Sequence, residues 1–179
     1  FGRLKFLGNL YLADFMVDGP GKVVIDPVLE KLEWGGVTRF TWNRGYFTME
    51  GGRLHVHTAS DADLWTGNAY LRDQRVAAAI MPLAGGSHLV SARVQGTSRF
   101  YAAGFDSGNV VILKEDHGTS VLAKAPFKLE LGREYQVELK VIGDKLTLAV
   151  DGKELLTATD GAYRYGMGGL RLASAGRMS

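Results

Sequence analysis

Apolar and polar side chains alternate with a period of two along residues 134–158. Tyr135, Val137, Leu139 and Val141 interleave with Glu134, Gln136, Glu138 and Lys140, which predicts a strand with one buried and one wet face. Gly143-Asp144 leads into Leu146, Leu148 and Val150, and Asp151-Gly152, the strongest short hairpin signal in the chain, leads on to Leu155. The stretch therefore predicts a three-stranded antiparallel meander. The same grammar recurs upstream. Residues 46–49 and 53–57 flank Glu50-Gly51-Gly52, and 99–105 and 109–113 flank Asp106-Ser107-Gly108. Asp116-His117-Gly118 turns into 119–124, residues 75–81 and 88–95 lie on either side of a Pro82–Gly86 connection, and 168–173 is a late apolar run. The best helix candidate is Pro27 to Trp34, about two turns at most and equally readable as a loop, with Asp26 as N-cap and Pro27 at the first helical position.

About a dozen short strands with regular turns predict an all-β fold, a two-sheet antiparallel β-sandwich with about six strands per sheet and one sheet concave. Its core is expected at Leu54, Val56, Val137, Leu139, Val141, Leu146, Leu148, Val150, Leu170 and Leu172. Residues 37–179 read as the sandwich. Residues 1–36 are less regular and read as an N-terminal strand (Phe1 to Phe6) with a connecting segment, completing the sheet or ending a preceding domain.

Composition narrows the function classes without naming one. The 179 residues are 46% hydrophobic and 22% charged, an ordinary globular balance, and the 24 glycines fit many tight turns. A net charge of +2 gives no case for nucleic acid. The longest uncharged stretch, 76–92, contains Pro82, Gly85, Gly86 and His88 and is no membrane span. With no cysteine, disulfides and thiolate metal sites are excluded. Phe1 in place of an initiator Met and the stop at Ser179 suggest a fragment of a longer protein, so a cytoplasmic or a secreted location stays open.

Among chemical constellations, Gly166-Met167-Gly168-Gly169 precedes a strand and does not fit a phosphate loop. His55 and His57 share a strand face but lack further zinc ligands, and read as a solvated face. Asp61, Asp63, Asp106, Asp116, Asp151 and Asp160 stand in turn-like segments and could hold a structural calcium, although none has a diagnostic spacing. No paired-carboxylate or nucleophile motif marks a catalytic site. The most unusual stretch is Arg93 to Phe105. Arg93 and Gln95 share one strand face and Arg99 and Tyr101 another, and a tight connection can merge the two. Two guanidinium forks, an amide and a phenol on one surface match the hydroxyls or carboxylate of a sugar. Trp65, in the polar stretch Asp61 to Gly67 read as a loop, could form a wall, and Tyr163-Arg164-Tyr165 is a second loop aromatic pair. The competing reading makes Arg93 and Arg99 scaffold, paired with neighbours such as Glu115 or Glu138.

Arg93-Val94-Gln95-Gly96 followed by Arg99-Phe100-Tyr101-Ala102, with 40–45, 66–67 and 135–151, resembles the C-terminal sandwich of large bacterial ADP-ribosylglycohydrolase-like proteins. That region is similar to the concanavalin A-like jelly roll of laminin G domains and several carbohydrate-binding modules. The resemblance implies a non-catalytic, lectin-like accessory module that binds a glycan, with hydrolase chemistry on a separate helical domain. It also implies that Arg177-Met178-Ser179 lacks a closing strand, a gap that Phe1 to Phe6 could fill. Two alternatives stand beside it: an interaction domain that docks a neighbouring catalytic domain without binding sugar, and a jelly-roll glycoside hydrolase.

Overall fold

The meander forms as its alternation requires. In the computed structural model, which describes residues 15–17, 23–25, 41–44, 46–50, 53–58, 61–67, 69–173 and 176–178, β13 (Tyr135–Ile142), β14 (Lys145–Val150) and β15 (Lys153–Thr159) pair antiparallel in sequence. Val137 faces Val150, Leu139 faces Leu148 and Val141 faces Leu146, so one side of the ribbon is continuously apolar and buried. The turn between β14 and β15 puts both Asp151 (φ 50°) and Gly152 (φ 77°) in the left-handed region, which is why Asp-Gly stands there.

The other strands are β1 (Phe15–Val17), β2 (Val23–Ile25), β3 (Thr41–Arg44), β4 (Tyr46–Glu50), β5 (Arg53–Thr58), β6 (Ala62–Thr66), β7 (Gln74–Ile80), β8 (Pro82–Ala84), β9 (Ser87–Gly96), β10 (Arg99–Asp106), β11 (Asn109–Asp116), β12 (Thr119–Pro126), β16 (Met167–Ala173) and β17 (Gly176–Met178). Among the described residues there is no helix and every strand pairing is antiparallel. One layer is a seven-stranded sheet in the order β12-β11-β10-β9-β16-β6-β3. The other consists of the four-stranded sheets β15-β14-β13-β7 and β4-β5-β17-β8, which succeed one another along the chain because only Met81 separates β7 from β8. β1 pairs with β2.

The main core lies between the layers. Val90, Ala92, Tyr101, Ala103, Phe105 and Leu172 of the seven-stranded sheet meet Val56, Ile80, Val137, Leu139, Leu148 and Met178 of the opposite layer. Phe105, Phe127 and Tyr135 stack their rings at centroid distances of 4.9 to 5.8 Å. All ten core positions expected from the sequence belong to this cluster, Leu54 and Leu170 at its partly buried margin.

Three expectations need correction. Asp61 to Gly67 is not a polar loop: Ala62–Thr66 is β6, a strand flanked by β16 and β3, and its aspartate Asp63 is buried in an ion pair with Arg171 at 2.6 Å. Pro82–Ala84 is more than a connection, since it forms β8 with Pro82 as its first residue, where a missing N–H is tolerated. The C-terminal gap is closed by the chain's own β17, which pairs with β5 and β8 and buries Met178. Three residues with one apolar side chain are too few to display a period. The helix candidate Pro27 to Trp34 and the strand Phe1 to Phe6 lie outside the described residues.

Candidate functional site

The site is organised by a break in β9. Opposite β16, Ser91 to Val94 spans the distance that Met167 to Gly169 spans, so β9 carries an extra residue there. Arg93 takes a left-handed conformation (φ 50°), the geometry of a β-bulge. Its N–H leaves the ladder and donates instead to Gln74 Oε1 at 3.0 Å. Gln74 Nε2 in turn donates to the carbonyls of Leu71 (2.9 Å) and Gly166 (2.6 Å). The Arg93 side chain, 2% exposed, turns toward the same two segments. Nε donates to the Arg72 carbonyl at 2.9 Å, Nη1 to the Tyr163 carbonyl at 2.7 Å, and Nη2 lies 3.6 Å from Asp73. One buried amide and one buried guanidinium thus sew residues 69–73, before β7, and 160–166, before β16, onto the bulge. Gly166 completes the seam, because a Cβ there would overlap the Arg93 carbonyl carbon. Burial pushes the Arg93 guanidinium down from its ordinary value, against the opposing pull of Tyr101, Asp73 and Asp144.

A second network lies beside it. The Tyr101 hydroxyl donates to Asp160 Oδ1 at 2.5 Å and accepts from the Tyr163 N–H at 3.1 Å. Lys114 Nζ donates to Asp160 Oδ2 at 2.8 Å, and the Ala162 N–H donates to Oδ1 at 2.9 Å. Burial opposes ionisation of Asp160, but the hydrogen bonds from Lys114, Tyr101 and Ala162 outweigh it and hold the carboxyl below its usual value. Burial pushes the Tyr101 hydroxyl well above the tyrosine range, and its bond to Asp160 adds to the shift. The Tyr163 ring packs 5.2 Å from that of Tyr101, its hydroxyl donates to the Glu115 carbonyl at 2.7 Å, and Arg99 lies 5.3 Å over its face.

What these networks present to solvent is an aromatic pair. Tyr70 is 72% exposed and Tyr165 45% exposed, with ring centroids 6.2 Å apart. Leu71 is exposed next to Tyr70. Gln95, also exposed, donates from Nε2 to the Tyr165 carbonyl at 3.0 Å. Arg99 stands at the rim with a half-exposed side chain, 4.0 Å from Asp116.

The structure therefore brings four of the five sequence-selected residues together. Arg93, Gln95, Arg99 and Tyr101 all reach segment 160–166, with Gln95 and Arg99 exposed and Arg93 and Tyr101 buried beneath the rim. Trp65 stands apart. It packs, 8% exposed, in a second apolar cluster with Leu89, Val94, Phe100, Ala102 and Val111, on the other face of the seven-stranded sheet. Two adjacent glycines of β16 mark the two faces: a Cβ on Gly168 would meet Val76 of the opposite layer, and one on Gly169 would meet the Trp65 ring. Arg99 is paired with Asp116 and Arg93 with Asp73, whereas Glu138 pairs with Arg75. Tyr70 and Gln74 escaped the sequence reading, because a tyrosine before a strand and a glutamine at its first position carry no motif.

Among the described residues no group of three or more histidines or carboxylates is placed to hold a metal ion. No helix there is long and apolar enough to cross a membrane.

No family model matches this chain, and no curated protein does. Solved structures do. A carbohydrate-binding module, CBM66 from Bacillus subtilis, is 19% identical with a TM-score of 0.69, over 76% of this chain and 89% of that one. A Bacillus subtilis protein of unknown function with a galectin-like fold is 12% identical with a TM-score of 0.59, over 76% and 84%. The carbohydrate recognition domain of Emp46p, in a potassium-bound form, is 11% identical with a TM-score of 0.57, over 81% and 92%. This chain has the jelly-roll fold. At these identities the likeness speaks for the fold; none of these similarities carries the ADP-ribosylglycohydrolase association or a laminin G assignment.

Proposed function

We propose that this chain is a non-catalytic carbohydrate-binding module whose ligand lies across the Tyr70–Tyr165 pair. The observation that carries the reading is that pair: two exposed rings side by side on segments held rigid from below. A sugar ring presents an apolar C–H face and a polar rim. Adjacent tyrosines take the first, and planar donors at Gln95 and Arg99 take the second. Arg93 and Tyr101 serve as the fixed base, which is what a precise site needs. Trp65 has no part in it. The names of two neighbours, a carbohydrate-binding module and a carbohydrate recognition domain, agree with this reading. We extend it to an accessory role in a larger glycan- or ADP-ribose-processing protein, supported by the resemblance carried by Arg93–Gly96 and Arg99–Ala102.

Affinity is modest on this reading. At about 0.3 kcal/mol per heavy atom, a disaccharide of roughly 23 heavy atoms gains at most about 7 kcal/mol, a Kd no tighter than about 10 µM. A glycan array followed by calorimetry tests it. Tyr165→Ala is expected to abolish binding with the thermal midpoint unchanged. The exposed apolar group Tyr70, Leu71 and Tyr165 also favours a second reading, an interaction surface for a neighbouring catalytic domain. Silence across the array, with association to such a domain lost in Tyr165→Ala, would establish that one instead. Turnover of a chromogenic glycoside would overturn both.

A further inference from the structure

We propose that the sugar bound at this end carries a negative charge, a carboxylate or a sulfate, received by Arg72 and Arg164 beside the Tyr70–Tyr165 pair. The inference rests on the glycan-binding reading above. It starts from an asymmetry in how the arginines are used. Arg75, Arg93, Arg99, Arg133 and Arg171 each have a carboxylate within 4.0 Å. Arg72 and Arg164 are exposed and have none among the described residues. These two stand at one place. Arg72 follows Tyr70 by two positions, Arg164 precedes Tyr165, and the carbonyls of Arg72 and Tyr163 both accept from the single Arg93 guanidinium.

The remaining charges at this end are largely spoken for. Asp73 is engaged by Arg93 and by the Gly143 N–H, Asp116 by Arg99, and Asp160 by Lys114. The Asp144 carboxylate lies against Gly161, on the side of the β13–β14 turn. Arg164 lies close enough to Arg93 to oppose its charge, which places the two guanidinium groups in one neighbourhood. Two guanidinium forks without a carboxylate partner among the described residues, each within two positions of one of the paired tyrosines, are suited to a planar carboxylate or a sulfate on a stacked sugar.

The test uses the full chain. An array carrying neutral, uronate-bearing and sulfated glycans is probed first, and calorimetry follows with a galacturonate trisaccharide, its carboxyl-reduced counterpart and a sulfated galactose disaccharide that has no uronate. The acidic sugars should bind at least about tenfold tighter than the neutral one, the size of a hydrogen bond to a charged group. The two acidic arms tell carboxylate from sulfate. The preference should shrink as NaCl rises from about 50 to about 500 mM, where the screening length falls to a few ångströms. Arg72→Gln with Arg164→Gln should erase the preference while leaving the thermal midpoint unchanged, since neither side chain has an ion pair among the described residues. Neutral glycans binding as well as acidic ones, with the double variant indistinguishable from the parent, would overturn the charge inference and leave glycan binding standing. No binding to any glycan would remove both.

Discussion

In the meander, the buried face is held by apolar side chains. Val137, Leu139, Val141, Leu146 and Leu148 are wholly buried, while Gln136, Lys140 and Ile142 between them are exposed. At the end of the sandwich formed by the β9 bulge and segments 69–73 and 160–166, the work falls to polar groups. Gln74, Arg93, Tyr101 and Asp160 each satisfy two or more partners that no strand ladder supplies. The meander gains stability from non-directional burial, which tolerates small shifts. The loop end gains geometry, because hydrogen bonds to fixed carbonyls dictate where Tyr70 and Tyr165 stand. A binding platform belongs at the second kind of place and a foundation at the first.

Leu139→Ala tests the foundation and has the largest expected effect. The residue is fully buried opposite Leu148 and Val76, so the substitution should cost about 2–5 kcal/mol. Denaturant unfolding measures it. The platform lies on other elements, so the fraction that remains folded should bind glycan with unchanged affinity. A weakened Kd in the folded fraction would mean that the two regions are not independent.

The same division explains how much could be read from the sequence. The meander is legible because burial alone selects its residues, and burial writes itself as a period of two. The bulge is illegible because Arg93-Val94-Gln95 continues an apparent alternation while the backbone departs from it at Arg93 (φ 50°). The alternation suggests a shared side for Arg93, Gln95, Arg99 and Tyr101. That segment 160–166 covers Arg93 and Tyr101 and leaves Gln95 and Arg99 at the rim depends on contacts 59 to 70 residues apart along the chain. Trp65 misled for a related reason. Asp61 and Asp63 look like loop residues, yet both serve the Arg171 guanidinium, and Asp63 does so from within a strand.

Arg93→Met breaks the loop end directly, with the next largest effect. The carbonyls of Arg72 and Tyr163 lose their donor and Asp73 loses its ion pair. Water can reach part of the seam, so a loss of about 2–3 kcal/mol is expected, roughly 4–12 °C in thermal midpoint for a chain of this size. Unlike Leu139→Ala, this change should also weaken glycan binding in the folded fraction, because Tyr70 and Tyr165 lose their common anchor. Full affinity at reduced stability would show that Arg93 holds the fold but not the platform.

The smallest expected effect is a pH dependence confined to the loop end. Asp160 is held below its ordinary value by Lys114, Tyr101 and the Ala162 N–H. A carboxyl with a depressed folded value adds stability that is fully present above its unfolded value, about pH 4, and is lost as pH falls through the folded one. Asp160→Asn keeps an acceptor for Tyr101 but gives up the charge that Lys114 needs. Thermal midpoints of parent and variant should therefore differ most at neutral pH and converge below about pH 4. Tyr101→Phe sharpens the assignment. It removes one of the bonds that stabilise the carboxylate, so the Asp160 carboxyl rises toward its ordinary value, the acid-labile part of the stability shrinks, and its loss is complete at a higher pH than in the parent. The meander supplies the control, since Leu139→Ala should shift the whole profile down without moving its acid limb. A parent-to-Asn difference that stays constant from neutral to acid pH would mean that the Asp160 charge contributes nothing, and that the loop end is held by Arg93 and Gln74 alone.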